Sequence, residues 1–170
     1  LGLLSKLDRS SDFGGAFDYQ DINLKLNFPT KKAGTFSLWA TGLIDKFKDE
    51  NPRDPAEWVH HGDNMTLSTT QYMSAGGLTH NMRIGKNGYL KTTLAATYYR
   101  HQADETSIAH DLNETPFTDM FRNNTSLVLT SVYNHKLGAK HTNRTGFTYT
   151  RLIYDMNLQK APAEGQPMET

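Results

Sequence analysis

Two adjacent histidines beside an indole and two carboxylates form the densest group of chemically capable side chains in this sequence. His60 and His61 follow Trp58, with Glu57 and Asp63 on either side. Imidazole and carboxylate groups are common zinc ligands, but adjacent residues in an extended chain point to opposite sides. This spacing does not form a chelate by itself, so we predict no metal site and no cofactor.

A binding role suits the same loop better than a metal site. An exposed aromatic ring can stack on a sugar or a chelate, and binding residues concentrate on loops that a rigid scaffold holds in place. We therefore take Trp58, His60 and His61 as candidates for a loop that contacts a substrate. The plainer alternative is a loop that packs against its neighbours.

Signatures of catalysis are missing from the sequence. None of the 170 residues is a cysteine, which excludes a thiol nucleophile, a thiolate metal site and a disulfide framework. The GxSxG elbow, the HExxH motif, the P-loop and GxGxxG are also absent. We predict that the protein is not an enzyme.

Charge and hydropathy argue against two further classes. Lys and Arg total 18, as do Asp and Glu, so no global field attracts nucleic acid and we predict no nucleic-acid partner. No run of about 18 apolar residues exists, so the sequence predicts no membrane-spanning helix. A membrane-spanning β-strand remains open, because it needs only alternate residues to be apolar.

Residues 21–44 hold the clearest structural pattern. Apolar side chains occupy alternate positions up to Phe28 and again from Phe36 onward, with a polar turn between them. A period of two predicts strands with one apolar face, so this stretch should form a β-hairpin with both phenylalanines on that face. Trp39 and Leu43 interrupt the alternation by placing apolar side chains on the otherwise polar face.

The same design recurs twice along the chain. A second hairpin is predicted over residues 71–99, turning at residues 86–88, where Asn-Gly is a strong hairpin signal. A third is predicted over residues 125–154, with its turn near residues 138–140. Two long polar loops should join the hairpins; they cover residues 46–70 and 102–123.

This layout predicts an all-β protein made of antiparallel up-and-down β-hairpins, with about six long strands. Strands of about ten or more residues, with tight turns at one end and long loops at the other, are typical of an outer-membrane β-barrel. We predict part of a transmembrane β-barrel, with Lys25, Arg83 and Lys91 on its polar, lumen-facing side. From the pattern alone a soluble β-sandwich, in which two sheets bury their apolar faces together, is the alternative.

Three stretches resemble the barrel of a known family. FDYQDINLKLNFPTKKAGTFSLWATG, TQYMSAGGLTHNMRIGKNGYLKTTLAATYY and YNHKLGAKHTNRTGFTY are similar to strands of TonB-dependent outer-membrane receptors of the Bacteroidetes type. The N-terminal LGLLSKL resembles the end of a preceding barrel strand. The likeness covers most of the chain, is weak in the two long loops, and does not indicate a substrate.

The resemblance implies a function for a larger parent protein. Members of this family have a 22-stranded barrel plugged by an N-terminal domain, and they import scarce nutrients such as metal chelates, vitamins or glycans. Energy reaches them through TonB from an inner-membrane complex, and their partners can include a surface lipoprotein. The implied location is the outer membrane of a Gram-negative bacterium, with outer-membrane lipid around the barrel.

The sequence departs from the full pattern of that family. It has no recognisable plug domain or TonB box, and about six strands do not close a wide barrel. We therefore expect a fragment of the barrel, with residues 1–158 as wall and 159–170 as a polar tail or loop, inactive as a transporter by itself. Unpaired edge strands and a bare lipid-facing stripe should make the fragment self-associate or bind detergent.

Two rival functions remain open at this point. One is a soluble β-sandwich binding module, for example one that recognises carbohydrate. The other is a smaller outer-membrane protein with a structural role. A sandwich would bury the apolar face against a second sheet, whereas both membrane proteins would expose it to lipid.

Overall fold

Six long antiparallel strands form one sheet, in which each strand pairs with its neighbours in sequence. The computed structural model describes residues 15–49, 54–59, 63–163 and 166–169. The strands are β1 (Gly15–Pro29), β2 (Thr35–Asp49), β3 (Met65–Ile84), β4 (Gly88–Ile108), β5 (Glu114–Lys136) and β6 (Thr142–Lys160). The all-β class and the up-and-down order of six strands predicted from the sequence are confirmed. Within the described residues the sheet is open, with β1 and β6 as its edges.

One face of the sheet is apolar because the register aligns the alternating residues of all six strands. A single cross-strand row contains five leucines and a tyrosine: Leu26, Leu38, Leu78, Leu94, Leu129 and Tyr149. The next row towards the turns begins with Phe28 and Phe36, which pair directly as the alternation predicts. We call this side the apolar face and the six-residue row the leucine row.

The opposite side of the sheet is polar at the same level. Successive residues of a strand point to opposite faces. The residue next in sequence to each member of the leucine row therefore lies on the opposite face of the sheet. These neighbours form the hydroxyl row: Asn27, Ser37, Thr79, Thr93, Thr130 and Thr148. Ser37 Oγ donates to Asn27 Oδ1 at 2.7 Å, and the hydroxyls of Thr79 and Thr93 lie 3.1 Å apart.

Burial across the sheet is the reverse of that in a soluble domain. Leu94 is 58% exposed and Leu78 is 44% exposed, whereas Ser37 and Thr79 are only 7% and 9% exposed. In the described residues the buried apolar residues are limited to Ile108 and Ala161, near the loop end. A soluble fold places its leucines inside, so the leucine row of this sheet has no covering layer within the described chain.

The turns follow the predicted positions, with one change of detail. In the first turn Gly34 has φ +85°, and its carbonyl oxygen accepts from the backbone N–H of Thr30 at 2.8 Å. The second turn covers residues 85–87, one residue earlier than the predicted residues 86–88, and Gly85 in it has φ +64°. Gly88 instead begins β4 and pairs with Ile84. The third connection, residues 137–141, contains the predicted residues 138–140.

The predicted long loop at residues 102–123 is wrong. The structure continues β4 to Ile108 and starts β5 at Glu114, which leaves a connection of residues 109–113. Both faces are polar along much of this extension, so the period of two that marks a strand is lost there although the backbone pairing continues. Pro116 sits opposite Thr106, where the register shifts in a β-bulge, a position that tolerates proline because the ladder is already interrupted.

The other predicted loop and the tail are shorter than expected. β2 runs to Asp49 and β3 starts at Met65, so the first connection covers residues 50–64 rather than 46–70. β6 continues to Lys160, whose backbone exchanges two hydrogen bonds with Glu169 at 2.9 and 3.0 Å. The N-terminal LGLLSKL lies outside the described residues. Among the described residues, no helix has the length and apolar character required to cross a membrane.

Gly34 provides a direct test of the first hairpin. A Cβ at this residue would overlap the carbonyl oxygen of Asn81, and its φ of +85° disfavours any L side chain. Gly34→Ala should lower the free energy of unfolding by at least about 1 kcal/mol, measured by urea titration in detergent micelles. Gly138→Ala is the matched control, because Gly138 has no atom within 4 Å of a built Cβ and no positive φ. Equal stabilities for the two variants would contradict this description of the turn.

Candidate functional site

Trp39 lies on the polar face by its place in the alternation of β2. Small residues on the neighbouring strands leave space there for its ring. Its register partner on β3 is Gly77, which in turn pairs with Ala95 on β4. A Cβ built at Gly77 would come 2.6 Å from the carbonyl oxygen of Leu94, 2.9 Å from indole Cζ2 of Trp39 and 3.0 Å from the Cβ of Ala95. The indole therefore lies over two small residues, which explains the interruption of the alternation in β2.

Two connected grooves lie beside this indole on the polar face. Their volumes are about 640 and 620 Å³, and they share Lys25, Ser37 and Asn81 in their walls. Lys91 lines the first groove and Arg83 the second, and no carboxylate lines either groove. Trp39 lines the first groove and Tyr89 the second, and both grooves combine an aromatic ring with cations, amides and hydroxyls, a set suited to holding a polar or anionic solute.

Charge is strongly segregated along the strands. The three stretches nearest the turns, residues 25–36, 78–93 and 127–150, contain Lys and Arg but no Asp or Glu. Nine cations lie there: Lys25, Lys31, Lys32, Arg83, Lys86, Lys91, Lys136, Lys140 and Arg144. The five that belong to strands all share the polar face by register, including the three predicted to do so. The apolar face carries no charged residue in these stretches.

A second cluster lies on the polar face nearer the loops and centres on Tyr99. The hydroxyl of Tyr99 donates to Gln71 Oε1 at 3.4 Å and accepts from Arg122 Nη2 at 3.3 Å. The guanidinium of Arg122 also lies 5.4 Å from the centre of the Tyr99 ring. An arginine guanidinium stays protonated in proteins, so the Tyr99 hydroxyl accepts this hydrogen bond from a cationic donor.

Three polar atoms beside this cluster lack hydrogen-bond partners although they are buried. They are Asp45 Oδ1, His101 Nδ1 and Asn124 Oδ1. Asp45 and His101 share a cross-strand row with Gln71 and Arg122, and Asn124 is the register partner of Tyr99. Buried polar groups normally find partners, so these atoms leave hydrogen-bonding capacity that a polar ligand or water could use.

The loop candidates are only partly described. Trp58 follows a short 3-10 helix, Pro55–Glu57. The carboxylate of Asp54 caps the start of this helix by accepting from Ala56 N at 2.9 Å. His60 and His61 lie outside the described residues. Within the part of the chain that is described, no group of three His, Cys, Asp or Glu residues could hold a metal ion.

Trp58 joins the two loops at the far end of the sheet. Its ring centroid lies 5.3 Å from that of His110, which belongs to the connection between β4 and β5. This contact fits the plainer alternative of loop packing, and it also leaves the indole half-buried at the loop rim. Sequence inspection could not identify His110 as its neighbour, because only the pairing of β3 with β4 brings the two loops together.

No family model, curated protein or solved structure matches this chain. The functional interpretation therefore depends on the physical character of the two faces and on the resemblance in the strands.

The position of Trp39 can be tested with a neighbouring pair of glycines. Gly77→Ala should displace the indole and shift its fluorescence emission, with a loss of about 1–3 kcal/mol in the free energy of unfolding. Gly76→Ala is the control: its Cβ would point to the other face, where the nearest atom lies 3.4 Å away. An unchanged emission spectrum in Gly77→Ala would contradict the packing of Trp39 over Gly77.

Proposed function

We propose that this chain is a wall segment of a TonB-dependent outer-membrane transporter that imports a scarce nutrient. The main support is the contrast between the exposed leucine row and the hydrogen-bonded hydroxyl row at the same level of the sheet. A sheet with these two faces matches a barrel wall that has lipid on one side and a polar lumen on the other.

The height of the apolar face fits a bilayer. On β3 the apolar residues of this face lie between Tyr72 and Ile84, with Ser74 and His80 among them, and this stretch at about 3.4 Å per residue is about 40 Å along the strand. Barrel strands tilt by about 40°, so the same stretch spans about 30 Å along the membrane normal. That distance is the thickness of the hydrocarbon core.

The polar face would then line the lumen and meet the solute. The cation-lined grooves beside Trp39 and the Tyr99–Arg122 cluster offer charge and hydrogen-bonding groups at two levels of the wall. Among metal chelates, vitamins and glycans, this cationic lining favours solutes with anionic groups. At the loop end, Trp58 would contact the solute first; His60 and His61, the other two candidates from the sequence, lie outside the described residues.

The remaining parts of the proposal come from the family resemblance. They are transport driven through TonB, a plug supplied by other parts of the parent protein, and a surface lipoprotein as a further partner. A soluble β-sandwich, including a carbohydrate-binding one, would need a second sheet to cover the leucine row. The described residues form one sheet only.

Sedimentation with and without detergent tests the proposal. We expect the chain to associate in plain buffer and to become monodisperse with bound detergent, because the exposed apolar face exceeds what soluble monomers tolerate. A compact monomer in plain buffer would mean that the leucine row already has a protein partner, and the soluble sandwich would replace the barrel wall.

An arginine substituted on each face in turn should show which face contacts lipid and which contacts water. Leu94→Arg should cost about 2–4 kcal/mol in phospholipid vesicles if Leu94 lies near the bilayer midplane, measured by urea titration. Thr97→Arg is the control, since Thr97 is an exposed residue of the same strand on the polar face. We expect almost no change for that variant, and equal losses in both would contradict a lipid-facing leucine row.

A further inference from the structure

A groove on the apolar face has a character different from those on the polar face. Its volume is about 540 Å³, and it lies at the loop-side border of the apolar face. Gly42 and Ser74, direct register partners, form its floor. Its apolar walls come from Ile22, Ile44, Tyr72 and Tyr98. Asp21 also belongs to the lining, but its place in the alternation of β1 puts its carboxylate on the polar face, where it accepts from Asn23 Nδ2 at 3.5 Å. Ile22 is 72% exposed, so the groove opens to the surroundings of the apolar face.

One end of the groove is closed by a cation with unused bonding capacity. Arg100 lies in the row just beyond Tyr98, and its Nε is buried without a hydrogen-bond partner. In the described chain its side chain contacts Gln102, through Nη2 at 3.5 Å, and the ring of Phe121 at 5.6 Å. A buried donor left unsatisfied is unfavourable, so an anionic acceptor in the groove would be stabilised there.

We propose that this groove binds a phosphate-bearing lipid, with an acyl chain over Gly42 and Ser74 and a phosphate oxygen accepting from Arg100. This inference rests on the proposed function, since it requires the apolar face to meet lipid. A molecule that matches the groove must be apolar along most of its length and anionic at one end. Arginine is well suited to bind phosphate, and β4 carries no charged residue on this face between Arg100 and the turn, which suits an acyl chain.

The position of the groove explains why the ligand is a lipid rather than a soluble anion. The row of the groove nearest the turns contains Ile22 and lies two rows from the leucine row on the same face, and among the described residues Arg100 is the one cation in its lining. A free phosphate would gain the contact with Arg100 but would leave the apolar walls uncovered. An amphiphile covers both, with its polar end at the border where a headgroup would lie.

Calorimetric titration of the full chain in dodecyl maltoside micelles tests the site, with dodecyl phosphate as the probe. We expect saturable binding at one site per chain, and affinity at least about tenfold weaker in Arg100→Gln, because a charge-assisted hydrogen bond is lost. Arg151→Gln is the matched control: Arg151 is on the same face but outside the groove. Equal weakening in both variants would mean general attraction to cations and would overturn the proposal.

A second variant tests the acyl-chain part of the groove. A Cβ at Gly42 would meet Ile22 Cγ2 at 3.7 Å and Met73 O at 3.8 Å, which are ordinary contacts. Gly42→Leu should therefore fold normally, fill the groove and abolish saturable binding. Ala96→Leu adds the same side chain to an exposed position of the same face outside the groove, and it should leave binding unchanged.

Two further results would overturn the lipid site by different routes. Binding of inorganic phosphate as tight as that of dodecyl phosphate would identify a soluble anion site. Absence of saturable dodecyl phosphate binding, in a chain that still sediments as a detergent complex, would leave the barrel wall standing and reject the lipid site alone. A chain that is monomeric without detergent would instead reject the barrel wall on which the inference rests.

Discussion

The pairing register is the constraint on which every other feature of this sheet depends. Side chains alternate between faces with a period of two, so a slip of one residue in any strand would exchange leucine for hydroxyl across the sheet. The observed register keeps Leu38 with Leu78 and Ser37 with Thr79. Because the described sheet is a single layer, correct pairing keeps the leucines on one face and the hydroxyls on the other. Hydrogen bonds between the strands, rather than a packed core, hold the described residues together.

The same register assembles the sites on the polar face from distant parts of the sequence. Tyr99 and Arg122 lie on different strands, and Trp39 meets Gly77 only because β2 and β3 pair. Each strand contributes one or two groups, and none of them carries a recognisable motif by itself.

The sequence predicts the parts of this structure that follow from local periodicity. The three hairpins, the pairing of Phe28 with Phe36 and the polar face all follow from alternation and turn residues. The continuation of β4 and β5 towards residues 109–113 was missed, because polar residues on both faces remove the periodic signal. Contacts between strands, such as Trp58 with His110, depend on which loops become neighbours. The family resemblance supplies the transport hypothesis, which no feature of the fold tests by itself.

Charge is distributed asymmetrically along the chain although the net charge is zero. Nine of the 18 Lys and Arg residues lie in the three stretches nearest the turns, whereas none of the 18 Asp and Glu residues does. A net charge of zero therefore conceals a large electric dipole along the strands. A phosphate-rich surface attracts one end and repels the other within about a Debye length, about 8–10 Å at moderate salt. The turn end of the hairpins would therefore face such a surface first. Electrostatic attraction would orient the hairpins before the leucine row is buried.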